Sequence, residues 1–406
     1  MPDRSTNAPK PAQNTAALPT AGDLARVMDQ IAPTQYAEEW DNVGLLIGSP
    51  GRLLDGPVVL TIDPSEAVIE EAVALGAAAI VTYHPVLFHS TRRLTTLRPR
   101  DRVALRCAEM NIAVYSPHTA LDAAEGGMND WLCEGVSGSH DAGRIAGDRR
   151  ALSPIARLPE RQRVKVVTFV PEKDAGRVRD ALATAGAGHV GEYELCSFGA
   201  PGTGTFFGGD GANPRVGEKG RLESVGEVRL EMVCPRRALA VAIETLRQFH
   251  PYEEPVIDVY DLAALPDRYV GPGRKVMLDQ PVTLTELAAR IKQFLGVSMV
   301  KVADARQFTM RRNGRETTVR SVAVCAGAGA SLAPLAVQNE CEVFFTGEMT
   351  YHEVWDLLNE GCSVILAGHS NTERGYLPRL AERLRAALPG VNAVVSKTDR
   401  SPLVTM

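Results

Sequence analysis

The sequence predicts an α/β protein. Two similar α/β lobes form its core, and an α+β domain of ferredoxin-like order is inserted between them. Three observations carry the prediction. Helix and strand patterns alternate with short connections over 22–150, and the same rhythm returns over 275–406. Between them, residues 163–263 run in the order β-α-β-β-α-β. Corresponding strands of the two flanking stretches end in the same residue types.

Residues 1–21, "MPDRSTNAPKPAQNTAALPTA", are rich in Pro, Asn, Thr and Ala and lack the apolar segment of a secretory signal, so they read as a disordered tail. "AGDLARVMDQIA" (21–32) has helical spacing, and "PVVLTID" (57–63) is a short apolar run ending at a carboxylate. "SEAVIEEAVALGA" (65–77) has a Ser cap, an acidic first turn and a closing Gly. "AAIVTYHP" (78–85) and "IAVYSPH" (112–118) read as strands, with the helix "RDRVALRCAEMN" (100–111) between them. The later lobe alternates in the same way through "TLTELAARIKQFLG", "SVAVCAG", "LAPLAVQNEC", "EVFFTGEM", "TYHEVWDLLNEG", "CSVILAGH" and "YLPRLAERLRAAL".

The middle stretch reads as strand "RVKVVTFVP", helix "EKDAGRVRDALATAG", strands "GEYELCSF" and "VGEVRLEMVCP", helix "RRALAVAIETLRQFH" and strand "EPVIDVYDL". Pro-rich joints, "LSPIARLPERQ" and "ALPDRYVGPGR", bound it as an insertion. The Gly-rich run 199–222 lacks the G-K-[ST] ending of a phosphate loop and opens no helix, so a glycine-permissive hairpin is expected. "HPYEEP" (250–255) is either a metal-ligand cluster or a solvated turn.

A chain of 406 residues, 45% hydrophobic and 23% charged, has room for two or three ordinary globular domains. Its net charge of −5 gives no footprint for nucleic acid, and no apolar run approaches the roughly 18 residues of a membrane span. The cysteines (Cys107, Cys133, Cys196, Cys234, Cys325, Cys341, Cys362) are odd in number, widely spaced and without a C-x-x-C. They read as buried thiols in a reducing, cytoplasmic setting rather than as disulfides or a thiolate zinc site.

The echoed strand ends carry the chemistry. "IAVYSPHTALD" ends with His118 and, four positions on, Asp122; "CSVILAGHSNTE" ends with His369 and Glu373. A Tyr-His pair, Tyr83-His84 and Tyr351-His352, lies at or beyond the preceding strand of each lobe. Taken singly, a histidine at a strand end is more often a hydrogen-bonded structural residue. Taken together, His84, His118, Asp122, His352, His369 and Glu373 offer imidazole and carboxylate ligands suited to Zn²⁺, Mn²⁺ or Fe²⁺. Ligands in open α/β sheets gather at such carboxyl ends.

These stretches resemble the Nif-three-like family, whose members carry the label GTP cyclohydrolase 1 type 2 homologue. The resemblance rests on "EEWDNVGLLIG" (38–48), "VTYHPVLF" (81–88), "YSPHTALDAAEGGMNDWL" (115–132), "FFTGEMTYHE" (344–353) and "AGHSNTE" (367–373). In the insert it rests on "GAGHVGEYELCSF", "GTGTF", "GANP", "GEVRLE" and "HPYEEP". It implies two α/β lobes assembled into a toroidal hexamer with a dinuclear metal site, and a PII-like or CutA-like insert capping the opening. The implied ligands are His84, Asp122, His369 and Glu373, holding two divalent ions per chain. The usual first histidine of the motif is Tyr83 here, which removes one imidazole. His118 and Tyr83 become proton carriers or ligand-orienting groups, and His352 and Asp41 pocket residues. Asp41 and Asn42 could equally form a turn, and Glu348 either faces the cleft or merely ends a strand. Two functions follow as expectations: a metal-dependent hydrolase, or a non-catalytic metal-handling or regulatory scaffold whose insert binds a small molecule or partner.

Overall fold

The computed structural model describes residues 18–139, 141–308 and 318–403. Most of the expected tail, 1–17, lies outside them. Thr20, inside the expected tail, caps helix Ala21–Ile31: its hydroxyl accepts from the Asp23 N–H at 3.1 Å, and Asp23 accepts from the Thr20 N–H at 2.8 Å. Ala21 is fully buried, so ordered structure takes in the end of that stretch.

Of the described residues, those up to Ile155 together with those from Asp267 onward form one compact unit, and 156–266 form another. The larger unit has two sheets. The first runs Gly44–Ile47, Ala113–Ser116, Ala79–Thr82, Val58–Thr61, Ala393–Val395. All its pairings are parallel except that of Gly44–Ile47. The second runs Lys301–Ala303, Ser363–Leu366, Val343–Thr346, Thr318–Val324, Arg274–Thr283, Gly147–Ala151, with a parallel trio at its centre. Val58–Thr61 and Ala79–Thr82 of the first sheet and Val343–Thr346 of the second are buried along their whole length, nearly continuous apolar runs with both faces covered.

Alternation along these strands sorts the two faces. Val58, Leu60, Val81 and Tyr115 of one sheet and Val322, Val324, Val343 and Phe345 of the other share one core with helices Ala21–Ile31, Met128–Ser137, Leu284–Leu295 and Leu377–Ala387. The opposite faces pack on their own crossover helices: Val59, Ile80 and Val114 against Glu66–Ala74 and Pro99–Glu109, Ala323, Phe344 and Val364 against Ala333–Gln338 and Tyr351–Asn359. The two sheets exchange edges. Ala393–Val395, from the end of the chain, pairs with Val58–Thr61, and Gly147–Ala151 joins the second sheet. A fully buried strand such as Val58–Thr61 needs a partner for its outer backbone groups, and the returning chain supplies one.

The smaller unit is built on an antiparallel sheet in the order Ile257–Asp261, Val164–Val170, Leu222–Cys234, Phe198–Phe207, with helices Glu172–Thr184 and Leu239–Phe249 packed on it, and the short antiparallel pair Ala156–Arg157 with Leu265–Pro266 at its two chain ends. That is the ferredoxin-like arrangement. One element differs from expectation. "GEYELCSF" is mostly not strand, and the strand starts at its last residue, Phe198, running through the Gly-rich residues to Phe207. Leu195 sits at φ 58° and Gly191 at φ 58°, conformations that break an extended chain. Beyond them every residue from Phe198 to Phe207 pairs in register with Leu222–Glu231, so the expected hairpin is there with longer arms. His250 of "HPYEEP" is buried, with Nε2 on the Phe169 carbonyl at 3.1 Å and Nδ1 accepting from the Tyr252 N–H at 3.1 Å, so both ring nitrogens serve the turn.

All seven cysteines are free, and all but Cys196 are buried. Among the described residues no helix is long and apolar enough to cross a membrane.

Candidate metal centre

The parallel strands of both sheets deliver polar residues from their carboxyl ends. Asp63 follows Val58–Thr61, His84 follows Ala79–Thr82, and His118 and Asp122 follow Ala113–Ser116. Glu348 follows Val343–Thr346, and His369 and Glu373 follow Ser363–Leu366. The ladders continue past the strand ends: Tyr83 N–H donates to Thr61, His84 N–H to Ile62 and Gly368 N–H to Gly347, at 2.8–3.0 Å. The side chains therefore leave a rigid rim.

His84, His369 and Glu373 meet there, with one ligand atom from each lying within 4.8 Å of the others. Glu373 is 1% exposed. Its Oε1 lies 3.2 Å from His369 Nε2 and 3.7 Å from His84 Nε2, and its Oε2 is buried without a hydrogen-bond partner. The far nitrogens are tied down as well. His84 Nδ1 meets Asp63 at 2.8 Å and His369 Nδ1 meets Glu348 at 2.9 Å. An ionised carboxylate only accepts, so each Nδ1 carries the proton and each Nε2 points inward. This is the carboxylate–imidazole support that metal-binding histidines use.

The electrostatics follow from the same contacts. Burial opposes charge on His84, but its bonds to Asp63 and Glu373 lift it to about 10. The bond to Glu373 lifts His369 to about 9 against the opposing effect of burial. Burial would raise Glu373, yet the two imidazoles hold it below the usual carboxylate range. The cluster is built for positive charge.

Backbone shape makes room for it. Gly327 has φ +61°, and a Cβ there would fall 2.7 Å from Glu373 Oε1 and 3.1 Å from His369 Nε2. The Gly327 N–H donates to Thr372 Oγ1, which in turn donates to the His369 carbonyl at 2.6 Å, so one hydroxyl fastens the 369–373 turn.

The other predicted residues are placed differently. His118 Nδ1 meets Asp41 at 2.8 Å, and Asp41 also accepts from the Thr119 N–H and hydroxyl. Burial would raise Asp41, but those bonds lower it. The His118 ring stands 5.5 Å from that of His84 and 5.4 Å from that of Tyr83. Asp122 accepts from the Tyr83 hydroxyl at 2.6 Å. Burial pushes Asp122 up to about 7, and burial beside the Asp122 and Glu373 carboxylates pushes the Tyr83 phenol well above its ordinary range. His352 is exposed on the first turn of Tyr351–Asn359, its ring beside Tyr351 rather than in the ring cluster. Asn42 caps the loop by donating to the Leu87 carbonyl at 2.5 Å.

Sequence reasoning passed over Asp63, Gly327, Arg374 and Asp399. Arg374 pairs with Asp399, which accepts from the Ile62 N–H at 2.7 Å, and reaches Asp63 at 3.8 Å, so it braces the His84 support. Asp63 had a signal: "PVVLTID" is a third apolar strand ending at a chemically active side chain.

Fold and site together define an α/β protein with a carboxylate-braced His/Glu cluster, a candidate cation site, where the parallel strands of two sheets end. The chain belongs to the Duf34/NIF3 (NGG1p interacting factor 3) family, whose sequence model matches residues 19–402. It is 35% identical over 383 residues to a Bacillus subtilis protein named GTP cyclohydrolase 1 type 2 homolog, covering 93% of this chain and 96% of that one. It is 31% identical over 386 residues to NIF3-like protein 1 of Bos taurus, covering 94% and 91%. The crystal structure of a Bacillus cereus protein related to NIF3 superposes with a TM-score of 0.68 at 31% identity, over 96% of this chain and 100% of that one. A Staphylococcus aureus protein shares the fold at TM-score 0.73 and 23% identity, over 96% and 99%.

Proposed function

We propose that this chain is a metal-dependent hydrolase of a small molecule, with His84, His369 and Glu373 holding a divalent cation, Zn²⁺, Mn²⁺ or Fe²⁺. The observation that carries the reading is Glu373. A buried carboxylate between two inward-facing Nε2 atoms, with its second oxygen unpartnered, is a costly arrangement unless a cation satisfies it. The donor set fits, since two imidazoles and a carboxylate suit these ions. Such an ion supplies Lewis acidity toward a carbonyl or phosphoryl oxygen. His84 and His369 give up their Nε2 protons on binding it. Asp63 and Glu348 hold the two rings in the ligating tautomer. Asp41 fixes the His118 tautomer, which leaves Nε2 of that ring to take and return a proton beside the cluster. The name of the curated relatives suggests GTP ring opening as one version. The reading extends to a cytoplasmic homo-oligomer, a hexamer by the family resemblance.

The test is elemental analysis of purified protein alongside a hydrolase screen spanning phosphoesters and cyclohydrolase substrates. Bound metal and turnover in the wild type, both lost in Glu373→Ala with the fold intact, support the reading. No metal after incubation with Zn²⁺, Mn²⁺ or Fe²⁺ overturns it.

One observation favours the non-catalytic alternative. The inserted unit has a cleft of about 790 Å³ lined by Phe169, Phe207, Glu227, Arg229 and Tyr252, a volume in the range of small-ligand sites. A metal-loaded protein that turns over nothing, and whose thermal stability responds to a small-molecule library only while Tyr252 and Arg229 are present, would favour that scaffold role.

A further inference from the structure

We infer that this chain holds one divalent cation rather than the pair that the family resemblance implies, because Tyr83 keeps Asp122 as its own hydrogen-bond acceptor. The inference rests on the cation reading above and concerns the count. Among the described residues, His84, His369 and Glu373 are the group whose ligand atoms converge. A second ion beside them needs further donors. The polar side chains that continue the ring cluster are Tyr83, Asp122 and His118, and the first two are committed to each other. His118 Nδ1 is held by Asp41 at 2.8 Å, so that ring offers Nε2 alone, and one imidazole is too few to hold a second ion. Asp122 Oδ1 accepts the Tyr83 hydroxyl in a short bond of 2.6 Å. The Asp122 carbonyl accepts from Asn129 Nδ2 at 3.0 Å, which fixes its backbone.

Tyr83 has little freedom to release it. The residue is 3% exposed, and its ring packs against those of His84, at 5.1 Å, and His118, at 5.4 Å. Its N–H donates to the Thr61 carbonyl at 2.9 Å and its own carbonyl accepts from Ser116 Oγ at 2.8 Å. A phenol in this place presents a proton where an imidazole would present a lone pair. One residue thus removes an imidazole and occupies one of the two Asp122 oxygens.

The experiment is zinc stoichiometry per chain, by elemental analysis of zinc-saturated and dialysed protein, in the wild type, Asp122→Asn, Tyr83→His and Glu373→Ala. Circular dichroism confirms that each is folded. We expect one ion in the wild type, still one in Asp122→Asn, two in Tyr83→His and none in Glu373→Ala. Two ions in the wild type, falling to one in Asp122→Asn, overturn the inference and leave the cation reading standing. A Tyr83→His protein that folds and stays at one ion overturns the part given to Tyr83. If it does not fold, the wild-type and Asp122→Asn counts still decide whether Asp122 is a ligand. No zinc in the wild type overturns the cation reading itself.

Discussion

His118 with Asp122 and His369 with Glu373 share a spacing, follow the same kind of parallel strand and lie on the same rim, yet only one pair closes on itself. In the second lobe the residues between them form a single tight turn, Ser370–Thr372, fastened by Thr372, and His369 Nε2 comes to 3.2 Å from Glu373. In the first lobe the chain enters helix His118–Ala123 with His118 at φ +28°, and the two side chains part. His118 turns to Asp41 and Asp122 to Tyr83. The Tyr-His echo divides in the same way. Tyr83 and His84 come directly off Ala79–Thr82, whereas the residues directly off Val343–Thr346 are Gly347 and Glu348, and Tyr351-His352 open the next helix. One lobe contributes the buried carboxylate and its histidine; the other contributes one ligand and its supports. Spacing alone predicts proximity only when the backbone between the residues is the same.

The strongest way to break this asymmetry is to fill the cradle. Gly327→Ala places a Cβ 2.7 Å from Glu373 Oε1 at a residue already in the left-handed region. The backbone strain costs about 1–2 kcal/mol, and the displaced carboxylate should reduce zinc affinity by at least about 100-fold, roughly two steps of 1.4 kcal/mol. Competition titration with a chromogenic chelator measures it. An affinity within a few-fold of wild type would show that Glu373 is not the centre of the site.

How legible was this in the sequence? Apolar periodicity exposed both α/β lobes and the β-α-β-β-α-β order, since those patterns are local. His84 and His369 were visible for the same reason, as residues ending apolar runs, and Glu373 through its echo of the His118–Asp122 spacing. The exchange of edge strands was not, because which edge Ala393–Val395 completes depends on the whole packed core. Nor were the hydrogen-bonded partners. Asp63 lies 21 positions from His84 and Asp41 lies 77 from His118. Nothing within either segment encodes a contact at that separation. Gly327 is one glycine among 36, and only its φ and neighbours single it out.

A smaller effect sharpens the comparison. Asp63→Asn and Glu348→Gln each remove a carboxylate behind a ligating imidazole, and such changes cost about 10–100-fold in affinity. Asp41→Asn removes the equivalent support behind His118, so it should leave zinc affinity within about threefold and instead lower turnover. Equal losses of affinity in all three variants would place His118 among the ligands and erase the distinction between the lobes.

The smallest expected effect is on pH dependence, and its sign follows from the contacts. His84, at about 10, and His369, at about 9, lie well above the ~6.5 of an unfolded histidine. A group raised on folding stabilises the fold fully below its unfolded value and loses that contribution as pH rises through its folded value. Chelator-treated protein should therefore lose a few degrees of Tm between pH 7 and pH 10. The depressed Glu373 acts in the other direction, stabilising above the ordinary ~4.5 of a glutamate and failing on acidification below it. Zinc affinity should run opposite to the alkaline Tm trend, rising with pH by up to about tenfold per unit for each proton displaced. Glu373→Gln removes the charge that raises both histidines, so its Tm should vary less over the alkaline range. A wild-type Tm that is flat from pH 7 to pH 10 would mean that the imidazoles are not coupled to Glu373, and the second lobe would then hold its histidine no differently from the first.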